Sequence, residues 1–342
     1  MLNKNIYNEI IIKKSEDLES LDMSRFEMRA TREGFGDALV LLGSEHDDVV
    51  ALCADLTESV QMHKFKDLFP ERFFEVGIAE QNMASVASGM SAMNKVPFIA
   101  SYAMFSPGRN WEQIRTTICY NDRKVVIVGA HSGLSVGPDG GTHQALEDIA
   151  IMRAVPNITI LSPCDYEQAY NMTKLAYSID GPVYLRLTRE KTPVLYDNSQ
   201  DINTSSDIIY SSNIDSSLKV GIIATGPIIF EALLAAKEIE KENIQVQILN
   251  VKCIKPLDQT VIINFARNNN RKLVTVEEHQ KIGGLGSAVS EVLSEHLPSL
   301  IYRVGVDNRF GQSGTSSELY REYNIDKESI KNKIREIVHM HM

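Results

Sequence analysis

The stretch Val76-Gly77-Ile78-Ala79-Glu80-Gln81-Asn82 carries the densest chemical signal in the 342-residue chain. A short apolar strand ends there, a glycine permits a sharp turn, and Glu80 opens a segment whose apolar residues Met83, Val86, Ala87 and Met90 recur at helical spacing. A lone carboxylate at a helix start ordinarily meets the helix dipole. Partly buried, the same group can exchange a hydrogen bond with a cofactor nitrogen.

A second signal runs from Ser132 to His143, where four glycines in twelve residues follow directly on a strand. Such a loop lets backbone approach a ligand closely, and Asp139 and His143 stand four apart in it. It lacks the G-x-G-x-x-G spacing of a dinucleotide fingerprint; the plainer reading is a flexible connection with His143 as a helix cap. Arg32, Ser59, His131 and Arg189 lie near strand or helix ends. Singly each reads as a solvated surface group; together they would suit a phosphate, for which arginine offers a forked donor. Tyr102 and Phe105, three apart after an apolar strand, read as core packing or as a stack for a flat heterocycle. Ile282-Gly283-Gly284-Leu285-Gly286-Ser287 opens a helix with the wrong spacing for either common phosphate loop and reads as close packing.

The elements that must hold these residues alternate. Apolar strands are expected at Val49 to Ala54, Phe73 to Val76, Pro97 to Ala100, Lys124 to Val128, Ile158 to Leu161 and Val183 to Leu185. The helix through Phe35, Ala38, Leu39 and Leu42 precedes them. Helices Glu80 to Met93, Gly108 to Tyr120, Gln144 to Arg153 and Asp165 to Tyr177 lie between or beside them. Strands rich in Val and Ile alternating with helices predict a mostly parallel sheet covered on both faces. From Asp197 to Ser217, Asp, Asn and Ser fill 14 of 21 positions, which predicts a linker with an edge strand at Ile208-Ile209-Tyr210. A second alternation follows, from Lys219 to a final amphipathic helix at Lys327 to Ile337. The fold class is therefore α/β, two doubly wound domains with mostly parallel sheets. Residues 1–23 read as a polar N-terminal arm.

Composition narrows the function. The net charge of −10 and the lack of a long Lys/Arg run argue against nucleic acid as a partner. No apolar run approaches the roughly 18 residues of a membrane span. Four scattered cysteines without a C-x-x-C pair argue against a zinc site or a disulfide framework and fit a reducing, cytoplasmic setting. In open parallel sheets ligands gather beyond the carboxyl ends of the strands, where the residues above fall.

Ala54-Asp55-Leu56, Phe73 to Asn82, Asp139-Gly140-Gly141-Thr142-His143-Gln144, Val155-Pro156-Asn157-Ile158, Lys255-Pro256-Leu257-Asp258 and Val276-Glu277-Glu278-His279 occur in that order. Together they resemble the C-terminal half of thiamine-diphosphate-dependent transketolases, from about residue 25 to the end. The resemblance implies a pyrimidine-binding domain over 24–196, a linker over 197–217 and a transketolase C-terminal domain over 218–342. It implies ketol transfer between a ketose phosphate and an aldose phosphate through the carbanion of thiamine diphosphate, with Glu80 activating the aminopyrimidine and His143 sharing the catalytic work. Tyr102, Phe105 and Asp55 would join Glu80 in holding the cofactor. Asp139 and His143 would contact the donor sugar's hydroxyls, and Arg32, Ser59, His131 and Arg189 its phosphate.

The family's G-D-G motif, which holds the diphosphate through a metal, does not occur in the chain. The resemblance then implies no metal ligand here. It implies instead a split transketolase in which an N-terminal partner subunit carries G-D-G, the diphosphate and Mg2+, two copies of each chain forming a heterotetramer. A 1-deoxy-D-xylulose-5-phosphate synthase-like subunit, the β subunit of a 2-oxo acid dehydrogenase and a non-catalytic binding module are the alternatives at this point.

Overall fold

The computed structural model describes residues 26–197, 203–204 and 206–340; the arm expected over 1–23 lies outside them. The strands are β1 Met28–Ala30, β2 Val49–Cys53, β3 Phe73–Glu75, β4 Val96–Tyr102, β5 Val126–Ala130, β6 Thr159–Leu161 and β7 Val183–Arg186. They continue with β8 Lys191–Pro193, β9 Asp207–Ser211, β10 Lys219–Ala224, β11 Gln245–Asn250, β12 Cys253–Lys255, β13 Lys272–Gln280 and β14 Leu300–Val306. Seven form one sheet in the order β12-β6-β7-β5-β4-β2-β3, five form a second in the order β14-β13-β10-β11-β9, and β1 pairs with β8. All pairings within the two large sheets are parallel except those of β12 with β6 and β9 with β11.

Every residue of β2 and β5 is buried, as their unbroken apolar runs require of strands covered on both faces. On one face Phe35, Leu39 and Leu42 of helix Thr31–Glu45 pack with Ala169, Met172 and Ala176 of helix Tyr166–Ser178. Those helices meet at Gly34, where a Cβ would lie 2.3 Å from the Tyr166 carbonyl oxygen. On the other face Met83, Ala84 and Ala87 of helix Glu80–Ala92 share a core with Leu249, Phe265 and Leu273 of the second domain. That second domain has its own outer core, where helices Ile229–Ile239 and Lys327–Val338 cover β10, β11 and β13.

Two expectations are revised, and one strand was not foreseen. The helix foreseen from Gln144 starts at Asp148, because Gln144 and Ala145 are committed elsewhere: Gln144 Nε2 donates to the carbonyls of Leu134 and Gln312, and Ala145 O accepts from Gly133 N. The helix foreseen from Gly108 to Tyr120 is a turn at Trp111–Gln113 running into a π-type turn at Ile114–Cys119. Hydroxyls divert its carbonyls there: Thr116 and Thr117 bond back to Glu112 O and Gln113 O, and Ser88 bonds Thr117 O. Cys253–Lys255, of which only Lys255 belongs to a motif named above, is an edge strand of the first sheet, paired antiparallel with β6. The edge strand expected at Ile208 to Tyr210 is present as β9.

The interface between the domains holds charge. Asp148, at the start of helix Asp148–Arg153, accepts from Tyr184 Oη at 2.7 Å and Arg186 Nε at 2.8 Å, with both partners of the ion pair out of water. Arg186 holds the Asp148 carboxyl below its usual range even though burial opposes this. Arg186 Nη2 continues to the carbonyl of Glu278 in the second domain at 2.9 Å. Buried charge pairs contribute little net stability, but removing one member leaves the other uncompensated. Asp148→Asn is therefore expected to cost about 3–5 kcal/mol in urea unfolding; a loss below about 1 kcal/mol would show that Arg186 finds other compensation.

Candidate functional site

The fold brings together residues from the ends of β1, β2, β3, β4, β5 and β7. β3 ends at Glu75, Gly77 turns in the left-handed region at φ +67°, and helix Glu80–Ala92 begins with Glu80 only 1 % exposed. Its Oε2 accepts from Arg109 Nη1 at 2.7 Å. Asn110, buried, donates to the Glu80 carbonyl and to Ser106 Oγ, both at 3.1 Å, fixing the turn after β4 against the head of that helix.

Beyond β4, Tyr102 and Phe105 lie nearly parallel with ring centres 6.0 Å apart. Tyr102 stacks on His131 at 3.8 Å, and His143 meets Phe105 edge-on at 5.4 Å and Tyr102 at 6.1 Å. Arg109 lies over the Phe105 ring at 4.8 Å, which continues the row to Glu80. A buried carboxylate, an aromatic bed and two imidazoles thus form one continuous surface.

Arg32 and Arg189 are held side by side by their neighbours. Thr31 Oγ1 accepts the Thr188 amide at 2.9 Å across a separation of 157 residues, both threonines being buried. Antiparallel pairing of β1 with β8 closes the same seam. Arg32 Nη1 donates to Ser59 O at 2.7 Å and Arg189 Nη1 to Val136 O at 2.6 Å. Burial, reinforced by Arg189, lowers the Arg32 pKa. Burial also drives His131 down to about 3, with Arg32, Arg189 and His143 adding to the shift. His131 Nδ1 and Arg32 Nε are buried without a hydrogen-bond partner among the described residues. Two guanidiniums and a neutral imidazole with unmet polar atoms fit an anionic ligand.

Two expected residues make no side-chain hydrogen bond, ion pair or ring contact with this cluster among the described residues. Asp55 is exposed just beyond β2 at φ +59°, and Asp139 is exposed on the glycine-rich loop. That loop is backed by the second domain: Ser313 Oγ lies 2.7 Å from where a Gly140 Cβ would be, and Gly311 O 2.5 Å from where a Gly141 Cβ would be. The Gly283–Gly286 stretch is close packing, as expected. Glu277 accepts from the amides of Leu285 at 2.6 Å and Gly286 at 2.9 Å, and burial pushes its carboxyl up to about 7. Sequence reasoning missed Arg109 and Asn110, although Tyr102, Phe105 and Arg109 are spaced three and four apart, as residues sharing a face are.

Family models match the transketolase pyrimidine-binding domain over residues 27–194 and the transketolase C-terminal domain over 214–330. The chain belongs to the transketolase family. A putative transketolase C-terminal section of Methanocaldococcus jannaschii is 39 % identical over 90 % of this chain and 96 % of its own. A 6-deoxy-6-sulfo-D-fructose transketolase subunit of a Clostridium species is 35 % identical over 90 % of this chain and 94 % of its own. A solved split-gene transketolase, described as an inactive beta4 tetramer, superposes with a TM-score of 0.82 at 39 % identity, covering 90 % of this chain and 98 % of that one. The chain spans 56 % of the length of human transketolase, to which it is 33 % identical.

His131 sets a pH dependence. A histidine depressed from 6.5 to about 3 adds stability in full above pH 6.5, and loses it as pH falls through that window, where only the unfolded chain takes the proton. The fall in Tm between about pH 7.5 and about pH 5 is expected to be smaller in His131→Asn than in the wild type. Equal falls would mean that His131 is protonated in the folded protein.

Proposed function

We propose that this chain is the C-terminal subunit of a split transketolase, moving a two-carbon ketol unit from a ketose phosphate to an aldose phosphate. In this reading a pyrimidine-binding domain occupies 24–196, residues 197–217 link it to a C-terminal domain over 218–342, and the enzyme works in the cytoplasm. The observation that carries it is the buried Glu80 carboxylate at the end of an aromatic row. When bound, thiamine diphosphate supplies an acidic thiazolium carbon able to add to the ketose carbonyl and to carry the two-carbon unit.

The residues fit that group. Glu80 has one oxygen on Arg109 and, among the described residues, no hydrogen bond to the other. That second oxygen is open to a hydrogen bond with a nitrogen of the aminopyrimidine. Tyr102 and Phe105 would bed the flat ring, and Asp55 would join them in holding it. Arg109 balances the Glu80 charge and, by its contact with Phe105, ties that balance to the same surface.

His143, between the aromatic bed and the loop carrying Asp139, takes the donor sugar's hydroxyls together with that aspartate, and is placed to hand on a proton at the reacting end. Arg32, Ser59, His131 and Arg189 take the sugar phosphate. A neutral His131 keeps a hydrogen-bonding nitrogen for the ligand without adding a third positive charge.

A second polypeptide completes the site in this reading. It carries the G-D-G motif and holds the diphosphate with Mg2+, and two copies of each chain form a heterotetramer. Two observations support it: relatives of the same extent are named as transketolase sections or subunits, and Phe74, Ile78 and Met104 are exposed beside the site. Apolar side chains so placed mark a surface for another protein.

Reconstitution with an N-terminal transketolase section tests the reading through ketol transfer from a ketose phosphate. Glu80→Gln is expected to cut turnover at least about 100-fold in the reconstituted enzyme while leaving Tm near the wild type. Unchanged turnover, or full activity of this chain alone, defeats the assignment. Arg189→Ala is expected to raise KM for the phosphorylated donor by about 10- to 100-fold at nearly constant kcat, and to leave a donor without phosphate unaffected. Equal losses on both donors would remove Arg189 from phosphate binding.

A further inference from the structure

Glu75 ends β3, the outermost strand of the seven-stranded sheet, and is exposed to solvent. A carboxylate there has water for a partner, yet it is committed to protein. Its Oε1 accepts the backbone N–H of Asp55 at 2.7 Å and that of Gly77 at 3.3 Å, and its Oε2 accepts from Thr57 Oγ1 at 2.8 Å.

Two of the three donors belong to residues in the left-handed region: Asp55 at φ +59° and Gly77 at φ +67°. For Asp55, which has a Cβ, that conformation needs outside support. The three donors also lie on two different loops. One leaves β2 and carries Asp55; the other leaves β3 and delivers Glu80 to the head of its helix. One side chain therefore spans the gap between the two segments that approach the proposed ring site from this edge of the sheet.

We infer that Glu75 is a positioning residue for the cofactor: it clamps the Asp55 loop to the Gly77–Ala79 turn, so that Asp55 and Glu80 keep a fixed separation. The inference rests on the functional reading above. It assigns Glu75 no contact with the cofactor, and it places the effect of losing Glu75 in binding rather than in the chemical step. The chain's core does not depend on it, since Glu75 is exposed and its partners lie beyond the strand ends.

Two substitutions separate the clamp from its alternatives. Glu75→Gln keeps all three contacts available: the amide oxygen accepts both N–H groups and the amide nitrogen donates to the Thr57 hydroxyl. Glu75→Ala removes them. In the chain alone, hydrogen exchange at the Asp55 and Gly77 amides is expected to quicken at least about 10-fold in Glu75→Ala and less than about threefold in Glu75→Gln.

In the complex with an N-terminal transketolase section, calorimetric titration with thiamine diphosphate and Mg2+ is expected to give a Kd about 10-fold or more higher for Glu75→Ala. Glu75→Gln should stay within about threefold of the wild type, and kcat at saturating cofactor should hold within about threefold in both. Unchanged exchange or an unchanged Kd in Glu75→Ala overturns the inference. So does a Glu75→Gln variant as impaired as Glu75→Ala, which would mean that the charge itself meets the cofactor or the partner. If the wild-type complex takes up no thiamine diphosphate, the functional reading fails, while the exchange experiment still decides whether the clamp exists.

Discussion

The Asp148–Arg186 pair sits where two sheets from different halves of the chain meet, and its burial constrains everything around it. A guanidinium removed from water has to satisfy its donors in fixed directions. Here it does so with a carboxylate from the first domain and the carbonyl of Glu278 from the second. The neighbouring polar groups follow. Glu278 accepts from Ser135 N and Tyr320 Oη, and burial drives His279 down to about 4. His279 Nδ1 lies against Gln280 O and Nε2 accepts from Ala150 N. The glycine-rich loop between Ser132 and His143 is thereby held from behind by the second domain, while its front carries Asp139 and His143. A domain without a residue in the proposed chemistry thus sets the backbone on which two proposed substrate contacts ride.

Much of this was legible in the sequence because it is local. The strand, glycine and helix around Glu80 can be read from seven consecutive residues, and unbroken apolar runs such as Val49 to Cys53 have few explanations other than strands buried on both faces. The glycines from 283 to 286 could be read as packing by their failure to match a phosphate loop, and the carboxylate of Glu277 fills the space they leave.

What escaped depends on long separations or on competition for backbone groups. Nothing in the sequence marks Thr31 and Thr188 as partners, yet their bond sets Arg32 beside Arg189. Arg109 looks like any surface cation until the turn after β4 brings it to Glu80. Helical periodicity persists from Trp111 to Cys119, but threonine and serine hydroxyls take the carbonyls that an α-helix needs, and the register slips to a wider turn. The motif at Lys255-Pro256 gave no hint that the residues before it cross to the other sheet.

That crossing has a consequence for how such a protein can be divided. β12 lies beyond the linker in sequence but caps β6 in space, and Lys255 reaches further, donating to the carbonyls of Arg153 and Val155. A break of the polypeptide at the linker would put the cap on the other fragment and bare a row of unpaired amides and carbonyls along β6, a template for adventitious strand pairing. Heredity can shuffle these two domains as a unit at little physical cost. It cannot separate them without first inventing a new selvedge for the larger sheet.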